Sequence, residues 1–174
     1  MSKLPRIWRL PDGDPLLLRP IGPRDKGALE TFARGLSDAS RYLRFHAQVT
    51  QLPANASTVL THVDGYHHFA VVATHPADRA IVGVGRMIRE AEDPSVAEIA
   101  ITVGDAYQQR GLGTVLLREL VDQAPARRIG VLRAYVLAAN VGMRHLLASS
   151  GLPLSERESG TMDLDLVGRA THAA

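Results

Sequence analysis

The sequence predicts an α/β fold, in which one domain has helices flanking a mixed, mostly antiparallel, twisted sheet. Its length of 174 residues, 45% of them hydrophobic, suits a single domain with a single core. The middle of the chain contains three consecutive runs of strand character, separated by short polar segments. After them the apolar period changes to that of a helix and one more buried strand follows, which indicates a βαβ crossover.

The N-terminal part is predicted to supply one strand and three helices before most of the sheet. Pro15–Pro20 is a short apolar run that ends at a proline, as strand ends and edges do. Apolar residues at helical spacing then predict an amphipathic helix capped by Asp25, with two shorter helices after it. The three predicted helices are Lys26–Gly35, Asp38–Phe45 and Ala56–His62. The ends, residues 1–13 and 169–174, are expected to be loose.

The remaining elements complete the sheet. Three strands should form an antiparallel meander, namely His68–Thr74, Ala80–Arg89 and Val96–Val103. A helix, Leu112–Gln123, and a buried strand, Val131–Ala138, form the crossover, which should be right-handed. The last elements are a helix, Met143–Ser149, closed by Gly151, and a strand, Thr161–Val167.

Composition excludes several classes of function. The absence of cysteine removes disulfides, a cysteine nucleophile and any zinc site with thiolate ligands. The 18 arginines and two lysines are interspersed with acids, which disfavours nucleic-acid binding. His67 and His68 are adjacent, so on a strand they face opposite sides, and we expect no metal site. The apolar runs are too short to cross a membrane and no leader pattern is present, which predicts a cytoplasmic protein.

The segment Val103–Thr114 carries the chemistry, because it joins a hydrophobic strand to an amphipathic helix through a loop with two glycines. The N–H groups of a first helical turn have no partners within the helix, and the helix dipole favours an anion there. A pyrophosphate would suit such a site. The loop lacks the lysine of a Walker motif, and Leu116 replaces the third glycine of a dinucleotide fingerprint.

The hexapeptide Gln108–Gly113 resembles the Q/R-x-x-G-x-G/A loop with which the GNAT acetyltransferase superfamily binds acetyl-CoA. Downstream, Asn140–Leu152 is similar to the family's helix that begins at an asparagine and ends at Gly-Phe. Upstream, Leu36–Phe45 resembles a segment of bacterial GNAT domains of the protein lysine acetyltransferase type. The resemblance covers nearly the whole chain.

This resemblance implies a GNAT-type domain whose sheet is splayed where acetyl-CoA enters. The pyrophosphate would rest on loop N–H groups, with Arg110 as the first candidate among side chains. The pantetheine arm would pair with the edge of the preceding strand, where an N–H of Val103 or its neighbour would donate to the thioester oxygen. The residues that it implies for binding are Ile101, Thr102, Val103, Gln108, Gln109, Arg110, Gly111, Leu112, Gly113, Thr114 and Asn140. Asn140 is also expected to cap the last helix.

Glu98 is the candidate catalytic base, because an ammonium must lose a proton before it can attack the thioester. The two-residue period places Glu98, Ala100 and Thr102 on one face of their strand, where Glu98 is the only carboxylate. The alternative is a structural glutamate that meets water or an arginine such as Arg86. Glu90 and Glu92 are the next candidates.

The family's usual general acid is missing, because Leu147 stands where many members have a tyrosine, seven residues after the asparagine. Ser149, Tyr107 or His145 are candidate replacements, unless the thiolate leaves without help.

The expected activity is acetyl transfer from acetyl-CoA directly to a primary amine. The acceptor would be a protein lysine, or alternatively a small-molecule amine. A third alternative is an inactive domain that senses acetyl-CoA. The resemblance allows a homodimer, and the lack of cysteine argues against an acetyl-cysteine intermediate.

Overall fold

A computed structural model describes residues 3–45, 55–157 and 160–167 of the chain. The strands are β1 (Arg6–Arg9), β2 (Pro15–Pro20), β3 (His68–Thr74), β4 (Ile81–Arg89), β5 (Val96–Val103), β6 (Val131–Tyr135), β7 (Leu154–Glu156) and β8 (Thr161–Asp165). The helices are α1 (Lys26–Gly35), α2 (Asp38–Phe45), α3 (Ala56–Thr61), α4 (Leu112–Gln123) and α5 (Val141–Ala148). Together they form the predicted α/β domain. None of the described helices has the length and apolar character that crossing a bilayer requires.

The eight strands form one sheet in the order β1-β2-β3-β4-β5-β6-β8-β7. The meander is confirmed, because β3, β4 and β5 pair antiparallel in succession. The crossover is confirmed as well, since β5 and β6 are joined through α4 and pair in parallel. Helix α4 therefore lies against the sheet close to the point where strand pairing changes from antiparallel to parallel.

Two glycines of β4 let α4 approach the sheet closely. A Cβ at Gly83 would lie 3.0 Å from Leu112 Cδ2, and one at Gly85 would lie 3.3 Å from Leu116 Cβ. The apolar face of α4, which includes the fully buried Leu120, packs into this space and forms the main core. Helices α1 and α3 lie on the opposite face, over a smaller core that includes Val72 and Val84.

The structure differs from the prediction mainly at the N-terminus. Residues 1–13 were expected to be loose, but Arg6–Arg9 form the edge strand β1, which pairs antiparallel with β2. Strand β1 is short, alternates charged and apolar residues and is only partly buried, so the sequence has no apolar run from which to predict it. Residues 169–174 lie outside the described residues.

Smaller differences concern element ends. Strand β6 ends at Tyr135 rather than at residue 138, α5 begins at Val141 rather than at residue 143, and β8 ends at Asp165. The short strand β7 was not predicted. It pairs with β8 at the sheet edge.

The sheet splays between β5 and β6, as the prediction required. Only three residue pairs join these strands, from Val96↔Val131 to Glu98↔Arg133. Beyond Glu98, β5 continues to Val103 beside β4, whereas β6 continues to Tyr135 beside β8. The backbone of residues 99–103 therefore presents an edge with which no strand of the described residues pairs on its β6 side.

Candidate active site

A cleft of about 850 Å³ opens at this splay. The edge of β5, the end of β6, the loop and first turn of α4, and one side of α5 form its walls, and α2 closes one end. The sequence-predicted residues that line it are Glu98, Ile101, Thr102, Val103, Gln108, Gln109, Gly111, Gly113, Thr114 and Asn140. The structure thus gathers ten of the twelve predicted site residues around one cavity.

The loop before α4 has the backbone geometry of an anion cradle. Gly111 is the N-cap of α4 and has a φ of 80°, which an L-residue with a side chain seldom adopts. Gln109 also has a positive φ of 56°. The first-turn N–H groups of α4 open toward the cleft beside these residues, where the helix dipole adds positive potential. This end of the cleft can hold phosphate oxygens.

Asp105 ties the loop to α2. Its carboxylate accepts hydrogen bonds from Ser37 N–H at 2.8 Å and from Ser40 Oγ at 2.7 Å. Burial would raise the pKa of Asp105, but the bonds from Ser40 and Ser37 outweigh it and hold that pKa below its usual value. The Gln108 side chain completes the link, because its Nε2 donates to Ser40 Oγ at 3.0 Å and to the Val103 carbonyl at 3.3 Å.

Arg110 and Leu112 do not line the cleft. The Arg110 guanidinium instead binds Asp12, with Nε 2.9 Å from Oδ2, and Asp14, with Nη2 3.0 Å from Oδ2. It also lies over the ring of Tyr107. Leu112 is 1% exposed and belongs to the core, so its side chain has no access to a ligand. The expectation that Arg110 leads the phosphate contacts therefore does not match its position here.

Glu98 lines the cleft on the face of β5 that α2 covers. Its side chain is exposed, and its register partners are Ile88 on β4 and Arg133 on β6. The arginine that it attracts is Arg44, at the end of α2, rather than Arg86. Burial lowers the pKa of Arg44, and the attraction of Glu98 partly offsets that effect. Glu98 and Arg44 therefore place one negative and one positive group at the α2 end of the cleft.

Arg86 is buried behind this pair, at 4% exposure. Its guanidinium contacts His68 Nε2 and donates to the Leu60 carbonyl at 3.2 Å. Burial, followed by repulsion from Arg44, lowers the pKa of Arg86 to about 10. Burial and the neighbouring Arg86 likewise lower the pKa of His68 to about 4, so His68 is neutral at pH 7.

The two next candidates for the base are placed less favourably. Glu90 forms a salt bridge with Arg133, at 2.9 Å, and does not line the cleft. The hydrogen bonds that Arg133 donates to Asp163, then the attraction of Asp163 and Glu90, raise the pKa of Arg133, so its positive charge is firmly held. Glu92 is exposed on the β4–β5 link, outside the cleft. Glu98 is thus the only carboxylate among the described residues that line the cavity.

Helix α5 has the expected cap at Asn140 and carries the residue that stands in place of the family's tyrosine. Asn140 caps it, because its Oδ1 accepts a hydrogen bond from Met143 N–H at 3.0 Å. Leu147, the residue in the place of the missing tyrosine, is fully buried and faces the core. Its neighbour Leu146 is the one that lines the cleft, where its Cδ2 lies 3.4 Å from a Cβ built on Gly113. Neither leucine offers a proton.

The three replacement acids have different surroundings. Tyr107 lies outside the cleft, beneath Arg110. Ser149 lines the cleft, but its Oγ donates to the His145 carbonyl at 2.8 Å. His145 is exposed and lines the cleft.

Several cleft residues were not found from the sequence. Ser40, Leu43 and Arg44 line it from α2, and Tyr135 lines it from the end of β6. Polar residues on α2 look like an ordinary solvated face. Tyr135 could have been noticed from the two-residue period of its strand, but its relation to Glu98 depends on the β5–β6 register. Among the described residues, no group of three His, Asp or Glu side chains is placed to share a metal ion.

Comparison with known proteins identifies the family. A family model described as an acetyltransferase (GNAT) domain matches residues 15–153. The acetyltransferase PA5475 of Pseudomonas aeruginosa is 34% identical over 149 residues, which cover 83% of this chain and 78% of the relative. The acetyltransferase Pat of Mycolicibacterium smegmatis is 34% identical over 142 residues. That match covers 80% of this chain but only 41% of Pat.

Solved structures agree with these relatives. The GNAT domain of S. lividans PAT superimposes with a TM-score of 0.84 and 29% sequence identity, covering 94% of this chain and 98% of that domain. The fold is shared more distantly with yncA from Salmonella typhimurium, solved with acetyl-CoA, at a TM-score of 0.65 and 18% identity over 91% of this chain and 96% of that one. The sequence match over most of the chain, the fold and the cleft lead to one conclusion: this chain belongs to the GNAT family of acetyltransferases.

Proposed function

We propose that the protein transfers the acetyl group of acetyl-CoA directly to a primary amine, with Glu98 as the base. The observation that carries this proposal is the cleft itself. It combines a strand edge that none of the described strands pairs with, a loop suited to phosphates and one carboxylate at the point where β5 and β6 separate. These are the parts that a thioester with a long pantetheine arm and a pyrophosphate requires.

Each part has a defined task in this proposal. Backbone groups of residues 101–103 bind the pantetheine arm as an added strand would. The N–H groups around Gly111 and Gly113 bind the pyrophosphate. An N–H of the β5 edge at or beside Val103 stabilises the negative charge that develops on the thioester oxygen during attack. Glu98, directly or through a water, removes the proton from the acceptor ammonium.

The acceptor is proposed to be a lysine side chain of a protein. Similarity to proteins named Pat and PAT supports this choice. The second candidate is a small-molecule amine, and the paired charges of Arg44 and Glu98 favour it, because they match an amino acid zwitterion. A cytoplasmic location and a homodimer stay predictions.

Two measurements, made one after the other, test the proposal. Calorimetric titration with acetyl-CoA should show binding, and absence of binding would overturn both catalysis and the alternative of a sensing domain. Release of CoA thiol is then followed with lysine peptides, free amino acids and polyamines. Binding without thiol release for any amine would favour the sensing domain over the enzyme.

A further inference from the structure

The proposed reaction leaves a negative charge on sulfur, and the expected family acid has no counterpart in its usual place. Leu147 is buried and Leu146 is apolar, while Tyr107 lies outside the cleft. The Ser149 hydroxyl already donates to a backbone carbonyl. The following inference rests on the proposed function and asks which cleft residue supplies the proton.

Tyr135 lies where β5 and β6 separate, a place that we call the fork. Glu98↔Arg133 is the last pair that joins these strands, and Tyr135 follows two residues later on β6. Neighbouring residues in register share a face of the sheet, and so do residues two apart on one strand. Glu98 and Tyr135 therefore lie on the same face, on the two strands that bound the fork, and both line the cleft.

Pairing with β8 fixes the backbone of Tyr135, whereas its phenol is exposed to solvent and can contact a ligand. The residue pairs with Thr161 on β8, which fixes the strand on the side away from the cleft. Its side chain is 47% exposed, and in the part of the chain that the structure describes its hydroxyl has no hydrogen-bond partner. The hydroxyl can thus donate to a ligand, and solvent can return a proton to it.

We propose that Tyr135 is a further catalytic residue, whose phenol donates its proton to the sulfur of the departing CoA. Glu98 first takes a proton from the acceptor ammonium, and the amine nitrogen then bonds to the thioester carbon. The carbon–sulfur bond breaks as the carbonyl re-forms, and its electron pair goes to sulfur. Sulfur takes the phenol proton, water restores that proton, and the second amine proton leaves to solvent. The products are the acetyl amide and CoA thiol.

Tyr135→Phe tests this role, because it removes the hydroxyl and keeps the ring. The kcat for CoA release should fall roughly a hundredfold or more, the range typical of general acid catalysis. The dissociation constant of acetyl-CoA and the KM for the acceptor should stay within about twofold of wild type. In single-turnover reactions, bound acetyl-CoA should be consumed more slowly by the variant than by wild type, which separates a loss in the chemical step from slower product release.

Tyr66→Phe is the matched control, because Tyr66 is an exposed tyrosine outside the cleft whose ring packs on Arg89. It should keep the wild-type kcat. His145→Asn examines the remaining candidate acid that lines the cleft. An unchanged kcat in Tyr135→Phe, a rise in acceptor KM alone, or a kcat loss confined to His145→Asn would overturn the role of Tyr135 and leave the proposed function standing. A wild-type protein that releases no CoA with any amine would overturn both.

Discussion

Arg110 binds Asp12 across 98 residues of sequence, with its Nε 2.9 Å from the Asp12 Oδ2. The hydrogen bonds that Arg110 donates hold the pKa of Asp12 below its ordinary value, and the bonds to Asp12 and then to Asp14 raise the pKa of Arg110. The charge of the one arginine in the phosphate loop is therefore neutralised from the β1–β2 turn. These two acids should weaken the binding of acetyl-CoA, because they oppose its phosphates and occupy Arg110.

The double variant Asp12→Asn, Asp14→Asn should bind acetyl-CoA about two- to fivefold more tightly, the range that exposed ion pairs give. The gain should shrink between 20 mM and 300 mM salt because exposed charges are screened. Titration calorimetry measures both effects. Asp93→Asn, in the β4–β5 link at the opposite end of β5 from the loop, changes the net charge in the same direction and should leave the affinity unchanged. Weaker binding by the double variant would mean that the acids position the loop rather than oppose the ligand.

Glu98→Gln should lower kcat by roughly a hundredfold, a typical loss for a general base. Acetyl-CoA affinity should hardly change, because Glu98 lies near the start of β5, beside Arg44 at the end of α2, whereas the loop follows the other end of β5. Raising the pH should recover part of the rate, because a larger share of the acceptor then arrives without its proton. Steady-state kinetics between pH 7 and pH 9.5 follow this recovery. Glu92→Gln, outside the cleft, is the control, and a variant as active as that control would remove Glu98 from the mechanism.

Stability should fall with acidity because of His68. Its pKa of about 4 in the fold lies below the ordinary histidine value of 6.5, so the unfolded chain binds the proton first as the pH falls. The free energy of unfolding should thus be highest above pH 6.5 and decrease between pH 6.5 and pH 4, by on the order of 2 kcal/mol from this residue. Urea unfolding at pH 7.5 and pH 5 measures it. In His68→Gln the decrease over this interval should be smaller, and an equally steep decrease would assign it to other groups.

Gly111→Ala should destabilise the protein by roughly 1 kcal/mol, because a Cβ is strained at a φ of 80°. It should also weaken acetyl-CoA binding, since the loop would have to shift its N–H groups. Gly111→Asn should cost less, because asparagine tolerates this conformation. Gly113→Ala offers a comparison without backbone strain, as its Cβ would make an ordinary contact with Leu146. Equal losses of stability in the alanine variants at 111 and 113 would contradict this account.

The sequence was informative where local pattern determines structure. The meander, the crossover and the Gly111 loop each follow from residues that are neighbours in the chain. By contrast, β1 has no apolar run and is stabilised by long-range contacts, among them that of Arg6 with the buried Glu119 at 2.8 Å. The ion pairs of Arg110 with Asp12 and Asp14 could not be predicted for the same reason, because those acids lie in another part of the chain.

The position of the missing tyrosine shows a second limit of the sequence. Adjacent residues on a helix differ by about 100° in direction, so of two neighbouring leucines one can face the cleft and the other the core. Leu147 and Leu146 differ in this way. Tyr135 was not found because its nearness to Glu98 depends on the register of a parallel pair, which no local pattern specifies.

The short parallel pairing of β5 with β6 has a mechanical consequence. Strands β1–β5 form one block and β6–β8 another, and three residue pairs join their backbones. The side-chain bridge from Glu90 to Arg133 crosses the same boundary. A ligand that lies in the cleft contacts both blocks, so it links them at the place where few backbone pairs join the strands. Its binding should therefore slow hydrogen exchange most at the amides that border the fork, and raise the melting temperature as ligand concentration increases.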